Sequence, residues 1–360
     1  MKRGYIGLLE DGTKFYIDLN SFFESHVGVL AKTGGGKSYL VGVLVEELTK
    51  AGIPTVIVDP HGEYRTLIYP NDDKRTNLFD EFGVGPKSFA RHVNIFSLNG
   101  KHDLKLSLSE SKLTVEDIMN LYPGKLKDSN KENLHRIIFR LRKKKYRIND
   151  IMKQASKMKS SSKYTLMGLL REVKSLKLFS QNPTLPSDLV KKHTTTVLDL
   201  NTLTKRMQKT VVSSILKMLF TARRLDKIPQ FVLVLEESQI FSPQQGVVVS
   251  SEIVKDIATE GRKFGFCLIA VTQRPSRLHK DVLSQPAVQI YLKVTNPRDV
   301  QSIYESIENV TPELKDTLKT LNRGECLISG VVEDKTVKVK IRVKHSKHGG
   351  TSQKLMGDDK

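Results

Sequence analysis

Three consecutive glycines followed by a lysine and a serine, Gly34 to Ser38 in AKTGGGKSYL, stand between an apolar run, HVGVL, and a helix-patterned one, SYLVGVLVEELTKA. Glycines where a strand gives way to a helix let backbone N–H groups approach phosphate oxygens, and the helix start adds partial positive charge at the same point. The spacing fits the phosphate-binding pattern GxxxxGK[ST], except that Ala31 takes the place of the first glycine. On this reading Thr33, Gly34, Gly35, Gly36, Lys37, Ser38 and Tyr39 bind ATP. Lys37 reaches the β and γ oxygens, and the Ser38 hydroxyl takes a place at Mg2+.

Hydrolysis requires two carboxylates more, one on the metal side and one to orient or deprotonate water. FVLVLEESQ offers both after a continuously apolar run that suits a buried central strand: Glu236 for Mg2+ and Glu237 as the catalytic acid. In IAVTQRPSRL, Gln273 falls at a strand end, where it would sense the γ-phosphate or help hold water, or else simply cap the strand. EGRKFG puts Arg262 and Lys263 at a helix end. An arginine there serves either as a finger for a neighbouring subunit's site or as a cation favoured by the helix dipole. In DPHGEY, Asp59 and Glu63 are expected to approach the nucleotide or water, although a turn built on Pro60 and Gly62 accounts for the motif equally well. His61 lacks Cys or His partners at metal spacing, and Cys267 and Cys326 lie in apolar strand-like runs that read as core.

The elements that must position these residues alternate. From Val27 onward the pattern runs strand, loop, helix, strand, which calls for a mostly parallel sheet covered by helices. GYIGLLEDGTKFYID, ahead of it, reads as a hairpin around Asp11 and Gly12. Residues 101–190 are different, with helical apolar spacing rich in lysine, and the α/β pattern resumes at TTTVLDL. The expected organisation is a short β remnant (1–24), an ATPase core (25–100 and 191–345), a helical insertion (101–190) and a flexible tail (346–360).

With 59 Lys and Arg against 39 Asp and Glu, the chain carries +20, which favours a polyanionic partner, nucleic acid above all. Within the insertion the run Arg142, Lys143, Lys144, Lys145 reads as a solvated face, with a DNA-contacting lid as the alternative. No stretch of eighteen or so apolar residues and no secretory signal is present, so the reading is cytoplasmic with no membrane segment.

Taken in order, AKTGGGKS, VDPHGEY, VLEES, ATEGRKFG, VTQRPSRLHKDVLSQ and VTNPRD make the chain resemble the HerA and FtsK superfamily of hexameric DNA-pumping ATPases, and within it the HerA branch. The resemblance implies a RecA-like P-loop core, a homo-hexameric ring with double-stranded DNA in its channel, and ATP hydrolysis between subunits. It also implies that Lys37 and Ser38 serve the phosphate loop, Glu237 the catalysis, Gln273 the polar sensing, and Arg262 a site in trans. The family usually has Asp-Glu-Ala-His where Glu236, Glu237, Ser238 and Gln239 stand here. Members also begin with a barrel domain, of which residues 1–24 would be a remnant. The expected function is therefore a DNA translocase or helicase-type motor with a nuclease or portal-type partner. The alternatives are a secretion or pilus-type motor, or an ATP-dependent scaffold that recruits an effector.

Overall fold

The computed structural model describes residues 2–20, 25–98, 103–122, 124, 126–143, 145–159, 162–306, 312–332 and 335–350. Lys144 and the last part of the expected tail, 351–360, lie outside the described residues. Among the described residues fourteen strands occur in chain order: β1 Arg3–Leu8, β2 Lys14–Asp18, β3 Val27–Leu30, β4 Thr55–Asp59, β5 Val93–Ser97, β6 Leu104–Lys105, β7 Leu108–Ser109, β8 Phe179–Ser180, β9 Thr195–Asp199, β10 Phe231–Leu235, β11 Phe266–Thr272, β12 Val288–Tyr291, β13 Glu325–Val332 and β14 Lys335–Ile341. Twelve form one sheet in the order β2-β1-β14-β13-β12-β3-β11-β10-β4-β9-β5-β6. From β12 to β6 all neighbours are parallel, and from β12 to β2 all are antiparallel.

The central parallel strands β3, β4, β10 and β11 are short, mostly apolar runs buried on both faces, as helices above and below demand. In β10, Val232 and Val234 join the core under helix α1 (Lys37–Lys50), whereas Leu233 and Leu235 face the other way. The second core continues through a run of helices: α2 Val115–Leu121, α3 Asp128–Leu141, α4 Ile148–Ser156, α5 Ser162–Ser175, α6 Lys205–Arg224 and α7 Ser251–Glu260. Its helices α2 to α5 leave and rejoin the core through a small parallel pair, β7 with β8. Thr114 starts α2 with a capping box: its hydroxyl accepts from Asp117 N at 3.1 Å, and Asp117 Oδ2 accepts from Thr114 N at 3.0 Å.

The β1–β2 hairpin turns at Gly12, whose φ of 83° suits glycine, and Asp11 Oδ1 accepts from Thr13 N at 2.8 Å. The hairpin extends the main sheet, because Gly7 and Leu8 pair with Ile341 and Lys340 of β14.

Helix α1 is buried along almost its whole length, including Glu46 and Glu47. Two buried carboxylates require a cation, and the segment after β14 brings one: the fully buried Arg342 donates to Glu46 Oε2 at 2.9 Å, to Glu47 Oε1 at 2.7 Å and to Tyr5 O at 2.9 Å. Glu46 Oε1 also accepts from Ser346 N and Oγ, at 2.8 and 2.7 Å. Residues 346–350, expected in a flexible tail, are thus drawn onto the core: the buried carboxylate needs donors, and the backbone at Ser346 supplies them. Lys347 N then donates to Tyr69 O at 3.0 Å.

Burial pushes the Glu46 carboxyl up, but Arg342, Lys344 and Ser346 outweigh it and hold the group below the ordinary glutamate range. Its folded value is depressed, so the stabilisation is complete above the ordinary glutamate pKa and is lost as pH falls through the folded value. Arg342→Met would strand both carboxylates, and we expect urea unfolding at neutral pH to show a loss of about 3–5 kcal/mol, shrinking on acidification. A loss below about 1 kcal/mol would mean that the pair is not what holds this segment.

Candidate functional site

Strands β3, β4, β10 and β11 are parallel, so the loops that follow them open on one edge of the sheet. The order within the sheet matters as much. β11 lies between β3 and β10, which puts Gln273, just past β11, between the glycine loop after β3 and the glutamate pair after β10.

The loop is built on glycine conformations. Gly34 and Gly36 have φ of 73° and 89°, where a side chain would be strained, and Gly36 caps α1 without any side-chain partner for the first-turn N–H groups. Lys32 N donates to Lys293 O at 2.8 Å and Gly35 N to Lys32 O at 3.0 Å, which anchors the entry of the loop. What remains is a helix N-terminus whose backbone donors suit phosphate oxygens.

Lys37 opens α1 and turns its ammonium onto the glutamates. Its Nζ donates to Glu236 Oε2 at 3.0 Å and also to Glu237 Oε1. Tyr64 OH donates to the other oxygen of Glu236, and Gln273 Nε2 donates to Glu237 Oε2 at 3.0 Å, joined there by Gln239. Thr33 Oγ1 donates to Gln273 Oε1 at 2.7 Å, so one hydrogen-bonded row runs Thr33, Gln273, Glu237, Lys37, Glu236, Tyr64. Glu237 holds a left-handed backbone, φ 52°, which costs a non-glycine residue energy and marks a position the surrounding structure enforces.

Both glutamates are buried. Burial works against the Lys37 ammonium, but Glu236 and Glu237 outweigh it and raise its pKa. For Glu237 burial again opposes the charge, and Lys37 with the two amide donors holds the carboxyl below its ordinary range. The site keeps a carboxylate at Glu237 in buried surroundings. Burial, reinforced by Glu236, raises the Tyr64 hydroxyl well above its usual value, so it stays a donor.

Asp59 is turned inward. Its carboxylate accepts from the backbone of His61, Gly62 and Tyr64 at 3.2, 2.8 and 2.9 Å, so it shapes its own loop. Burial pushes its pKa up to about 7 against these donors, with Glu236 and Asp199 adding to the rise. The turn reading of DPHGEY therefore accounts for Asp59, and the motif's contribution to the row is Tyr64. The stretch VTNPRD also has a physical role, because Asp299 Oδ1 accepts from Ser276 N and Oγ at 3.1 and 2.6 Å and braces the loop that carries Gln273.

Not every expected residue joins. The Tyr39 hydroxyl accepts from Lys344 N at 2.9 Å and its ring meets His348, so the side chain faces the segment after β14 and only its backbone N–H belongs to the loop. Arg262 is exposed and precedes β11, a seven-residue strand, so it sits about 20 Å from the edge where Gln273 lies. It does not reach its own chain's row. Cys267 and Cys326 are buried thiols whose pKa values burial pushes up, in keeping with core residues.

The residues present fit a nucleotide with a hard cation. Among the described residues no group of three or more His, Cys, Asp or Glu could hold a metal unaided. Mg2+ needs none, since one or two protein oxygens with phosphate and water complete its shell, and Ser38 and Glu236 are oxygen donors flanking Lys37. Tyr64, whose role sequence reasoning missed, left one signal: an aromatic hydroxyl closing DPHGEY. Tyr64→Phe removes the donor to buried Glu236, and we expect thermal unfolding to report a loss of about 1–3 kcal/mol. Unchanged stability would mean that this hydroxyl does not satisfy the carboxylate.

Known proteins resemble the chain in sequence and in fold. A family model described as the central domain of helicase HerA matches residues 5–219. The DNA double-strand break repair helicase HerA of Pyrococcus furiosus is 27% identical, over 90% of this chain and 66% of that protein. A probable helicase of Methanocaldococcus jannaschii is also 27% identical, over 99% of this chain and 69% of its own. The chain thus spans about two thirds of these relatives. Among solved structures, VirB4 of Thermoanaerobacter pseudethanolicus shares the fold with a TM-score of 0.67 at 17% identity, over 94% of this chain and 96% of that one. The plasmid coupling protein TrwB, in complex with ADP and Mg2+, does so with a TM-score of 0.61 at 13% identity, over 90% and 86%. Among the described residues no helix is long and apolar enough to cross a membrane.

Proposed function

The chain belongs to the family of the HerA helicase central domain, and from that premise we propose that it is an ATPase motor that translocates double-stranded DNA. The observation that carries the proposal is the row from Thr33 to Tyr64, which gathers a phosphate loop, two carboxylates and a polar sensor at one sheet edge.

The roles follow from the chemistry of each group. Backbone N–H groups of Gly34 to Ser38 and the Lys37 ammonium bind the β- and γ-phosphates of ATP. Ser38 and Glu236 would hold Mg2+, which would supply a Lewis acid to offset the charge that develops on the phosphate. Tyr64 fixes Glu236 from the side opposite Lys37. Glu237, kept ionised by its neighbours, orients the attacking water and takes its proton, and Gln273 ties its carboxylate to the loop at Thr33.

Arg262, exposed and remote from its own site, is free to act on the phosphates bound by another copy, as a homo-hexameric ring would allow. The relatives' DNA-repair names and the +20 charge support DNA as the track. Phosphate contacts carry no sequence information, so binding is expected to be indifferent to sequence.

Steady-state ATP hydrolysis should rise severalfold with linear duplex DNA. Lys37→Ala and Glu237→Gln should each abolish it by roughly a hundredfold or more, with Glu237→Gln still binding nucleotide. Hydrolysis indifferent to DNA would shift the track to protein. Duplex affinity should fall steeply between roughly 50 and 200 mM salt, and a flat salt response would remove the electrostatic basis of the reading.

A further inference from the structure

The positive charge is not spread evenly. Residues 125–177, almost all of α3 to α5 and their connections, hold seventeen Lys and Arg against four Asp and Glu, a net +13 of the chain's +20. Little of it is spent internally. Lys131 pairs with Asp128 at 2.8 Å and Arg136 with Glu132 at 3.6 Å, both at the surface, while among the described residues Arg140, Arg142 and Lys143 meet no carboxylate.

Arg136, Arg140 and Arg142 line one groove of about 310 Å3 beside α3, with buried Ile138 at its base. Phe139 lines it too and is 73% exposed. Arg136 lies one turn before Phe139 on the same face of α3, and Arg142, which caps the helix, follows it by three residues. Holding a bare phenyl group in water among cations contributes nothing to folding, since its hydrophobic gain is forfeited. On α5, Tyr164 is likewise 78% exposed, with Lys163 Nζ 6.0 Å from its ring centroid.

Cations that neutralise phosphates, interleaved with rings that stack on bases, are how strands with unpaired bases are gripped. A blunt duplex offers the phosphates but no free base face along its length. A solvated surface would need the charges but not the ring, and an acidic protein could match the charges but does not repeat anion and planar face in alternation as a nucleotide strand does. We propose that this groove is a DNA contact apart from the nucleotide site, which binds the phosphodiester backbone of a single-stranded end or overhang and stacks a base on Phe139. That the strand is DNA rests on the motor reading; the chemistry of the grip does not. The contact would let the insertion hold an unpaired end while the ATPase core acts on duplex.

The test measures anisotropy of labelled single-stranded and blunt duplex DNA over a salt series, with the full chain, an Arg136→Gln, Arg140→Gln, Arg142→Gln triple variant, and Phe139→Ala. All changes are at exposed positions away from Lys37, so basal ATP hydrolysis is expected to stay at the wild-type rate in each. The triple variant should lower the slope of log affinity against log salt by about 2 for single strands, at about 0.7 per phosphate, and weaken their binding at least tenfold. Phe139→Ala should weaken single-strand binding roughly fivefold or more and leave blunt duplex binding unchanged. Wild-type affinity and slope in the triple variant, or a Phe139→Ala effect equal on both DNA forms or absent from both, would overturn the proposal. A wild-type chain that binds neither DNA would overturn the motor reading with it, whereas DNA-stimulated hydrolysis with unaffected variants would overturn this contact alone.

Discussion

One ammonium group, that of Lys37, stands between two buried glutamates, and the arrangement of the sheet edge depends on it. Two carboxylates side by side in a low-dielectric setting repel each other and lose hydration, a penalty of several kcal/mol per ion without compensation. Lys37 compensates only in part, since one positive charge faces two negative ones. The remaining lone pairs are met by neutral donors, Tyr64 on Glu236 and Gln239 with Gln273 on Glu237. The neutral donors are therefore not accessory: each satisfies a buried carboxylate oxygen without adding a second cation that would compete for phosphate oxygens.

The same problem recurs further along α1, with the cation drawn from a distant part of the chain. Glu46 and Glu47 are as buried as the site glutamates, and here a cation comes from the far end of the chain in Arg342. Helix α1 is therefore tied at its start to β10 through Lys37 and along its later turns to the segment after β14. A helix that must hold its N-terminus against a phosphate group gains from being fixed at both places. Displacement of a backbone donor by an ångström would forfeit much of a charge-assisted hydrogen bond.

The local patterns of the chain were legible because they are governed by local rules. Glycines with positive φ, continuous apolar strands and polar strand ends could be read from residue order alone, and the structure brings Lys37, Glu236, Glu237 and Gln273 together. What residue order does not contain is which strands are neighbours. Gln273 meets Glu237 because β11 lies between β3 and β10, and no motif states that order. Likewise Tyr64 and Glu236 are 172 positions apart, and Arg342 and Glu46 are 296. Tyr39 looked like part of the loop by adjacency, yet helical geometry turned its ring toward Lys344 and His348. The residues after 345 looked like a tail because small and polar residues carry no periodicity, whereas a buried carboxylate elsewhere in the chain had need of their backbone donors.

The side-chain length at position 236 makes the dependence concrete. Where the family usually has aspartate, the extra methylene of Glu236 carries its carboxylate between Lys37 on one oxygen and Tyr64 on the other. An aspartate at the same backbone position would withdraw the carboxylate by more than an ångström, too far to keep both hydrogen bonds at good length. Glu236 and Tyr64 are thus one unit. The longer acid is tolerable because a buried phenol fixes its free oxygen, and the phenol is tolerable in the core because the acid accepts its proton donor. The chain departs from the family's usual residue at 236 without leaving a carboxylate loose beside the phosphate loop, since the end of DPHGEY supplies the hydrogen bond that constrains it.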